Sequence, residues 1–155
     1  MKLISHRGNI IGRNKFMENK PTYIDLAIYN GFDVEVDVWF KDNILYLGHD
    51  NPQYKVPGMW LISRKDKLWI HCKNIKAVSY ISSMESDVKY FWHQEDDVSL
   101  VSNGYLWTYP GKQLTPMSIA VLPETVNYSK LELSNCYGIC SDNIHNYIGN
   151  EQKIL

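Results

Sequence analysis

Long apolar runs, paired cysteines and an excess of charge of either sign are all missing from this sequence. No uncharged hydrophobic stretch approaches the roughly 18 residues that a membrane-spanning helix needs, and Met1-Lys2-Leu3-Ile4-Ser5 is too short an apolar start for a secretory signal. A cytoplasmic location without stable membrane insertion is the expectation. Cys72, Cys136 and Cys140 are odd in number and lack C-x-x-C spacing, so no zinc site or redox pair is readable and buried free thiols are expected. With 16 basic and 17 acidic residues the net charge is -1, which excludes the bulk positive field of a nonspecific nucleic-acid binder. Low-complexity segments, linkers and fixed-period repeats are absent too, so one domain is expected to fill residues 1–155.

What is present is apolar and aromatic: 45% hydrophobic residues, with 11 Tyr and 5 Trp, are enough to fill a core and exclude a disordered chain. Residues 3–6 read as a short buried strand. A helix is predicted over 21–30, with Pro21 in its first turn, Gly31 at its stop and Tyr23, Ile24, Ala27 and Ile28 on one face. Residues 32–40 alternate strictly, Val34, Val36, Val38 and Phe40 against Asp33, Glu35, Asp37 and Trp39. Alternation alone fits an acidic face in water at a sheet edge as well as one that lines a pocket. A strand over 44–47 then delivers Gly48-His49-Asp50. Further strands are predicted over 68–73, 88–93, 105–109, 118–122 and 137–141, with a helix over 75–84. Strands alternating with helical pieces argue for parallel βα units.

Four motifs occur in a fixed order: His6-Arg7-Gly8 ending the first strand, Glu18-Asn19 in the loop after it, Glu35-x-Asp37 on the second strand, and His49-Asp50. In this order they resemble the glycerophosphodiester phosphodiesterase family, closely over 3–50 and partly over 68–73, and Tyr137 to Asn143 is similar to its closing strand. The resemblance implies a (β/α)8 TIM-like barrel with its site at the C-terminal strand ends. It implies a divalent metal ion held by Glu35 and Asp37, with His6 and His49 as acid and base. In that family a hydroxyl beside the phosphodiester attacks phosphorus to give a cyclic phosphate, which water then opens. The third ligand expected of the family is a carboxylate, in an E-x-K pattern. Here Trp69-Ile70-His71-Cys72-Lys73 puts His71 there, either as a ligand or as a hydrogen-bonding core residue. Two carboxylates and one imidazole favour Mn or a Zn-like ion over Mg or Ca. Arg7 and Lys73 are then the phosphate-binding cations. Glu18 is read as a supporting group, Asn19 as a helix cap, His93 as core or rim and Asp142 as a helix N-cap.

A (β/α)8 barrel takes about 250 residues. A chain of 155 implies a reduced or incomplete barrel with shortened second-half helices. Ile119, Val121, Leu133 and Ile139 then need cover, which residues 144–155 supply in part and a homodimer for the rest. Two functions stay open: hydrolysis of a small phosphodiester, or a catalytically idle relative that binds a phosphorylated ligand or serves as an assembly subunit.

Overall fold

The computed structural model of the protein describes residues 1–84 and 86–149. β1 (Lys2–His6) leads through a long loop to α1 (Pro21–Tyr29), which returns to β2 (Asp33–Lys41). A turn at Asp42 and Asn43, both with positive φ, reverses the chain into β3 (Ile44–Leu47), and β4 (Tyr54–Val56) and α2 (Gly58–Ile62) follow. β5 (Leu68–Cys72), α3 (Ile75–Ser82) and β6 (Lys89–Trp92) form a second βα unit. The remainder is β7 (Val98–Leu100), β8 (Leu106–Thr108), β9 (Ser118–Val121), α4 (Lys130–Ser134) and β10 (Gly138–Ser141), with 3-10 turns at Pro123–Thr125 and Ile144–Tyr147.

Local chemistry explains the helices that form. Pro21 supplies a preset φ where no backbone donor is needed, and Asn30 and Gly31 end α1 with backbone N–H bonds back to its last carbonyls. Asn74 caps α3 by accepting from Ala77 N at 3.0 Å. The side chain of Ser129 and that of Glu132 cap α4 reciprocally.

Six parallel pairings order seven strands as β6-β5-β2-β1-β10-β9-β8. Three antiparallel pairings add β3 and β4 beside the second half of β2, and β7 beside β8. The result is a mixed sheet curved into a half-barrel, not the reduced (β/α)8 barrel with shortened helices that the sequence suggested. The physical reason lies in the connections. β6 reaches β8 through an antiparallel strand, and β8 reaches β9 through residues 109–117 without a helix. Between β9 and β10 there is one 3-10 turn and α4, which buries no residue. A parallel crossover needs a dozen or more residues to carry a helix across the sheet, and these segments are too short or too polar to do so.

Among the described residues, helices cover only the outer face of the first half. There Val34, Val36 and Val38 pack against Ile24 and Ala27 of α1, Leu61 of α2, and Ala77 and Ile81 of α3. The concave face is filled by Ile4, Trp69, Phe91, Trp107, Ile119, Val121 and Cys140. Ile119, Val121 and Ile139 are therefore buried within the chain and Leu133 is partly so, which removes the reason given for a partner to cover them. Ile144 is fully buried beside Ile139, so the start of the expected covering segment does pack, while residues 150–155 lie outside the described residues. All three cysteines are buried free thiols.

Candidate functional site

Side chains two apart on a strand share a face, and on the concave face the strands change character along their length. Ile4 is followed by His6, Trp69 by His71, Phe91 by His93, Trp107 by Tyr109 and Cys140 by Asp142. The apolar members plug the half-barrel, and the polar members gather at the C-terminal strand ends. β2 contributes acids at its first three inward positions, and Asp33, Glu35 and Asp37 are 2%, 2% and 0% exposed. The acidic side of the alternation is thus buried and not solvated.

Strand register sets the neighbours: His6 lies beside Glu35, and Asp37 beside His71. Ligand atoms of Glu35, Asp37 and His71 all lie within 4.8 Å of one another. His71 Nδ1 is 3.1 Å from Asp37 Oδ1 and 3.9 Å from Glu35 Oε1, and its ring stacks on Phe91. Asp37 also has Arg7 Nε at 3.0 Å and Lys73 Nζ at 3.6 Å. Despite this crowd, Glu35 Oε2 and Asp37 Oδ1 are buried and receive no aligned hydrogen bond.

The two carboxylates are pushed apart electrostatically. Burial raises the Glu35 pKa and the neighbouring Asp37 charge adds to it, against the weaker pull of His6, Arg7 and His71. Burial would raise Asp37 as well, but the His71 contact together with the Arg7 and Lys73 charges holds it well below the usual carboxylate range. Arg7 is buried, which favours its neutral form, yet Asp37, Glu35 and Glu18 raise its pKa.

His6 is oriented from behind. Its Nδ1 donates to Asp142 Oδ1 at 2.8 Å, because an ionised carboxylate only accepts, and this turns Nε2 toward Glu35 Oε2 at 3.8 Å. Asn9 Nδ2 donates to the same Asp142 oxygen at 2.8 Å. Burial opposes the charge on Asp142, and the His6 hydrogen bond outweighs it and lowers the pKa. Asp142 is therefore not the helix N-cap expected. Its place two residues beyond inward-facing Cys140 was the legible signal. Asn19 is also not a helix cap: Lys20 holds that position without a side-chain cap. Asn19 instead clamps Asp37, donating from Nδ2 to Oδ2 at 2.8 Å and accepting from Asp37 N at 3.0 Å. Glu18 supports the site by accepting from Arg7 at 3.3 Å and Arg13 at 2.9 Å.

His49 stands apart from this cluster. Gly48 N bonds to Asp37 O, which brings the loop to the mouth, but the ring donates from Nδ1 to Asp50 at 2.7 Å and its side chain is 38% exposed. It lines a pocket of about 110 Å³ with Arg13, Lys15, Glu18 and Asn19. Burial and the Arg7 charge lower its pKa. His93 stacks on Tyr109 at 3.6 Å and lies 6.2 Å from His71, which places it on the site wall. A wider groove of about 590 Å³ sits at the opposite strand ends, where Lys2 and Lys67 each approach Asp33 at 3.3 Å. That arrangement neutralises a buried acid and holds no catalytic pair.

Arg7 and Asn19 both have positive φ, and Asn19 N donates to Arg7 O. Gly8, next in the chain after Arg7, has φ +93°, and a Cβ there would sit 2.6 Å from Tyr23 Cδ1. Gly8→Ala is expected to cost roughly 1–3 kcal/mol in urea unfolding. An unchanged midpoint would mean that α1 shifts freely and does not brace the loop.

Comparison with known proteins finds no matching family model, and neither curated proteins nor solved structures give a match.

Proposed function

We propose that this chain is a metal-dependent phosphodiesterase acting on a glycerophosphodiester or a related small phosphodiester, as its resemblance to glycerophosphodiester phosphodiesterases implies. The observation that supports this most is the buried cluster in which ligand atoms of Glu35, Asp37 and His71 lie within 4.8 Å of one another while Glu35 Oε2 and Asp37 Oδ1 lack an aligned hydrogen bond. Buried carboxylate oxygens whose hydrogen bonding is incomplete are costly, and a divalent cation would satisfy both. Glu35, Asp37 and His71 would hold that ion, which when bound stabilises negative charge on a phosphoryl oxygen. Arg7 and Lys73, each beside a different oxygen of Asp37, offset the charge that grows on phosphorus. His49, kept neutral by its lowered pKa, takes a proton from the attacking hydroxyl, and His6, fixed by Asp142, delivers one to the leaving alcohol.

A second reading, binding of a phosphate ester without turnover, draws on the fact that Arg7 and Lys73 already balance the two acids. Glycerophosphocholine, glycerophosphoethanolamine and bis(p-nitrophenyl) phosphate, each assayed with Mn, Zn, Mg and Ca, separate the two. Hydrolysis with Mn or Zn ahead of Ca is the expected result. Loss of ligands or of their supports costs metal sites tenfold or more in affinity, so His71→Ala should weaken Mn binding by at least that factor. Unchanged Mn affinity would remove His71 from the site, and bound ester without turnover would leave the binder.

A further inference from the structure

The loop between β1 and α1 carries the two most exposed hydrocarbon side chains among the described residues, Phe16 at 87% and Ile11 at 83%. Single exposed apolar residues are ordinary. These two stand on one loop that is firmly held. Gly12 N donates to Asp142 O, Asn14 N to Asn9 Oδ1, Met17 N and Glu18 N to Asn14 O, and Asn19 N to Arg7 O, all at 2.9–3.1 Å. A loop so braced keeps Ile11 and Phe16 in water at the full hydration cost.

Charge is segregated to the same stretch. Residues 7–20 hold Arg7, Arg13, Lys15 and Lys20 against Glu18 alone, four basic to one acidic, in a chain whose net charge is -1. Arg7 turns into the site and Arg13 back onto Glu18. Among the described residues no ion pair engages Lys15 or Lys20, and Lys15 lines the pocket shared with His49. Exposed apolar side chains interleaved with lysines suit the boundary of an anionic lipid layer, where the hydrocarbon enters and the ammonium groups meet phosphate.

We propose that this loop docks the protein onto an anionic membrane surface through Ile11 and Phe16, with Lys15 and Lys20 at headgroup level. Such docking needs no spanning helix, and among the described residues no helix is long and apolar enough to cross a membrane. The loop that docks also carries Arg7, Glu18 and Asn19, so the site opens toward the lipid headgroups. Where the phosphodiesterase reading holds, its substrate is then the phosphodiester of a lipid headgroup, and this clause alone rests on that reading.

Vesicle flotation tests the docking without any need for turnover. The protein should float with mixed phosphatidylcholine and phosphatidylserine vesicles and not with pure phosphatidylcholine. The Ile11→Ser/Phe16→Ser double variant should bind at least about tenfold more weakly. Lys15→Gln and Lys20→Gln should each cost roughly fivefold, and added salt should act in the same direction. An unchanged thermal midpoint shows that the double variant is folded. Hydrolysis of soluble bis(p-nitrophenyl) phosphate by that variant should match wild type. Failure of the wild type to float, or equal flotation of the double variant, overturns the proposal. So does a wild-type dimer that the double variant dissolves, since a second copy would then cover the loop. Flotation without any hydrolysis keeps the docking and rejects the phosphodiesterase.

Discussion

His6→Ala is expected to lower the rate of phosphodiester hydrolysis by about 10² to 10⁴-fold, the range that a positioned acid or base contributes. The ring is buried, its Nδ1 is committed to Asp142 and its Nε2 faces the Glu35 side of the cluster, so no neighbouring group can replace its proton. The loss should appear in kcat more than in KM, because Arg7 and Lys73 remain to hold the phosphate. Asp142→Asn provides the sharper control. An amide in place of the carboxylate keeps the shape but removes the negative charge that supports a doubly protonated ring, the form that can deliver a proton from Nε2 while Nδ1 stays bonded. Its expected signature is a kcat deficit with a displaced pH profile, at nearly unchanged metal affinity. His49→Ala should fall as well, since its ring is the second proton carrier. Equal rates in wild type and both histidine variants would trace the activity to a contaminant.

The second large effect is on stability and has opposite signs at two residues one strand step apart. In metal-free protein near neutral pH, Asp37→Asn should destabilise the fold by about 3–5 kcal/mol, the cost of removing one partner from a buried ion pair. Arg7, His71 and Lys73 would then lose their common anion. Glu35→Gln should raise the thermal midpoint. The Glu35 pKa is raised on folding, so its charged form costs stability at every pH above its unfolded value, and a neutral amide removes that cost. Asp37 has a depressed pKa, so the stability it contributes is present above its unfolded value of about 3.9 and is lost only as the pH falls further. Adding Mn should raise the wild-type midpoint, and both variants should lose that rise. Melting curves with Mn and with a chelator decide it. A Glu35→Gln protein destabilised as much as Asp37→Asn would show that Glu35 is satisfied in a way its unpartnered oxygen does not suggest.

The sequence was most legible where a pattern is local. The two-residue period of 33–40 placed Glu35 and Asp37 on one face, the strand ending at His6 followed from a short apolar run, and His71 came from the resemblance to an E-x-K pattern. Their burial did not follow from the pattern, because an acidic face in water and one in a cleft alternate identically. Asn19 and Asp142 were misread for a related reason. Each is a good cap residue by local propensity, but their actual partners are Asp37, 18 residues away, and His6, 136 residues away. The barrel expectation failed in the second half, where rhythm alone suggested βα units. Residues 98–100 fall in none of the predicted elements because three residues carry too little alternation to announce a strand, yet their antiparallel pairing with β8 takes the place of a helix.

The pairing of β1 with β10 also sets an order of events during synthesis. Lys2 sits in register with Gly138, so β1 waits for β10 before its second edge is filled. Chains grow at about 5–20 residues per second, and the interval between His6 and Asp142 therefore lasts on the order of ten seconds. Throughout it His6 has no carboxylate to fix its tautomer, and Asn9 lacks the shared acceptor that steadies the loop. The nascent protein can assemble its acids and its cations early, from β1, β2 and β5, but His6 gains its carboxylate partner only once β10 and Asp142 have been made.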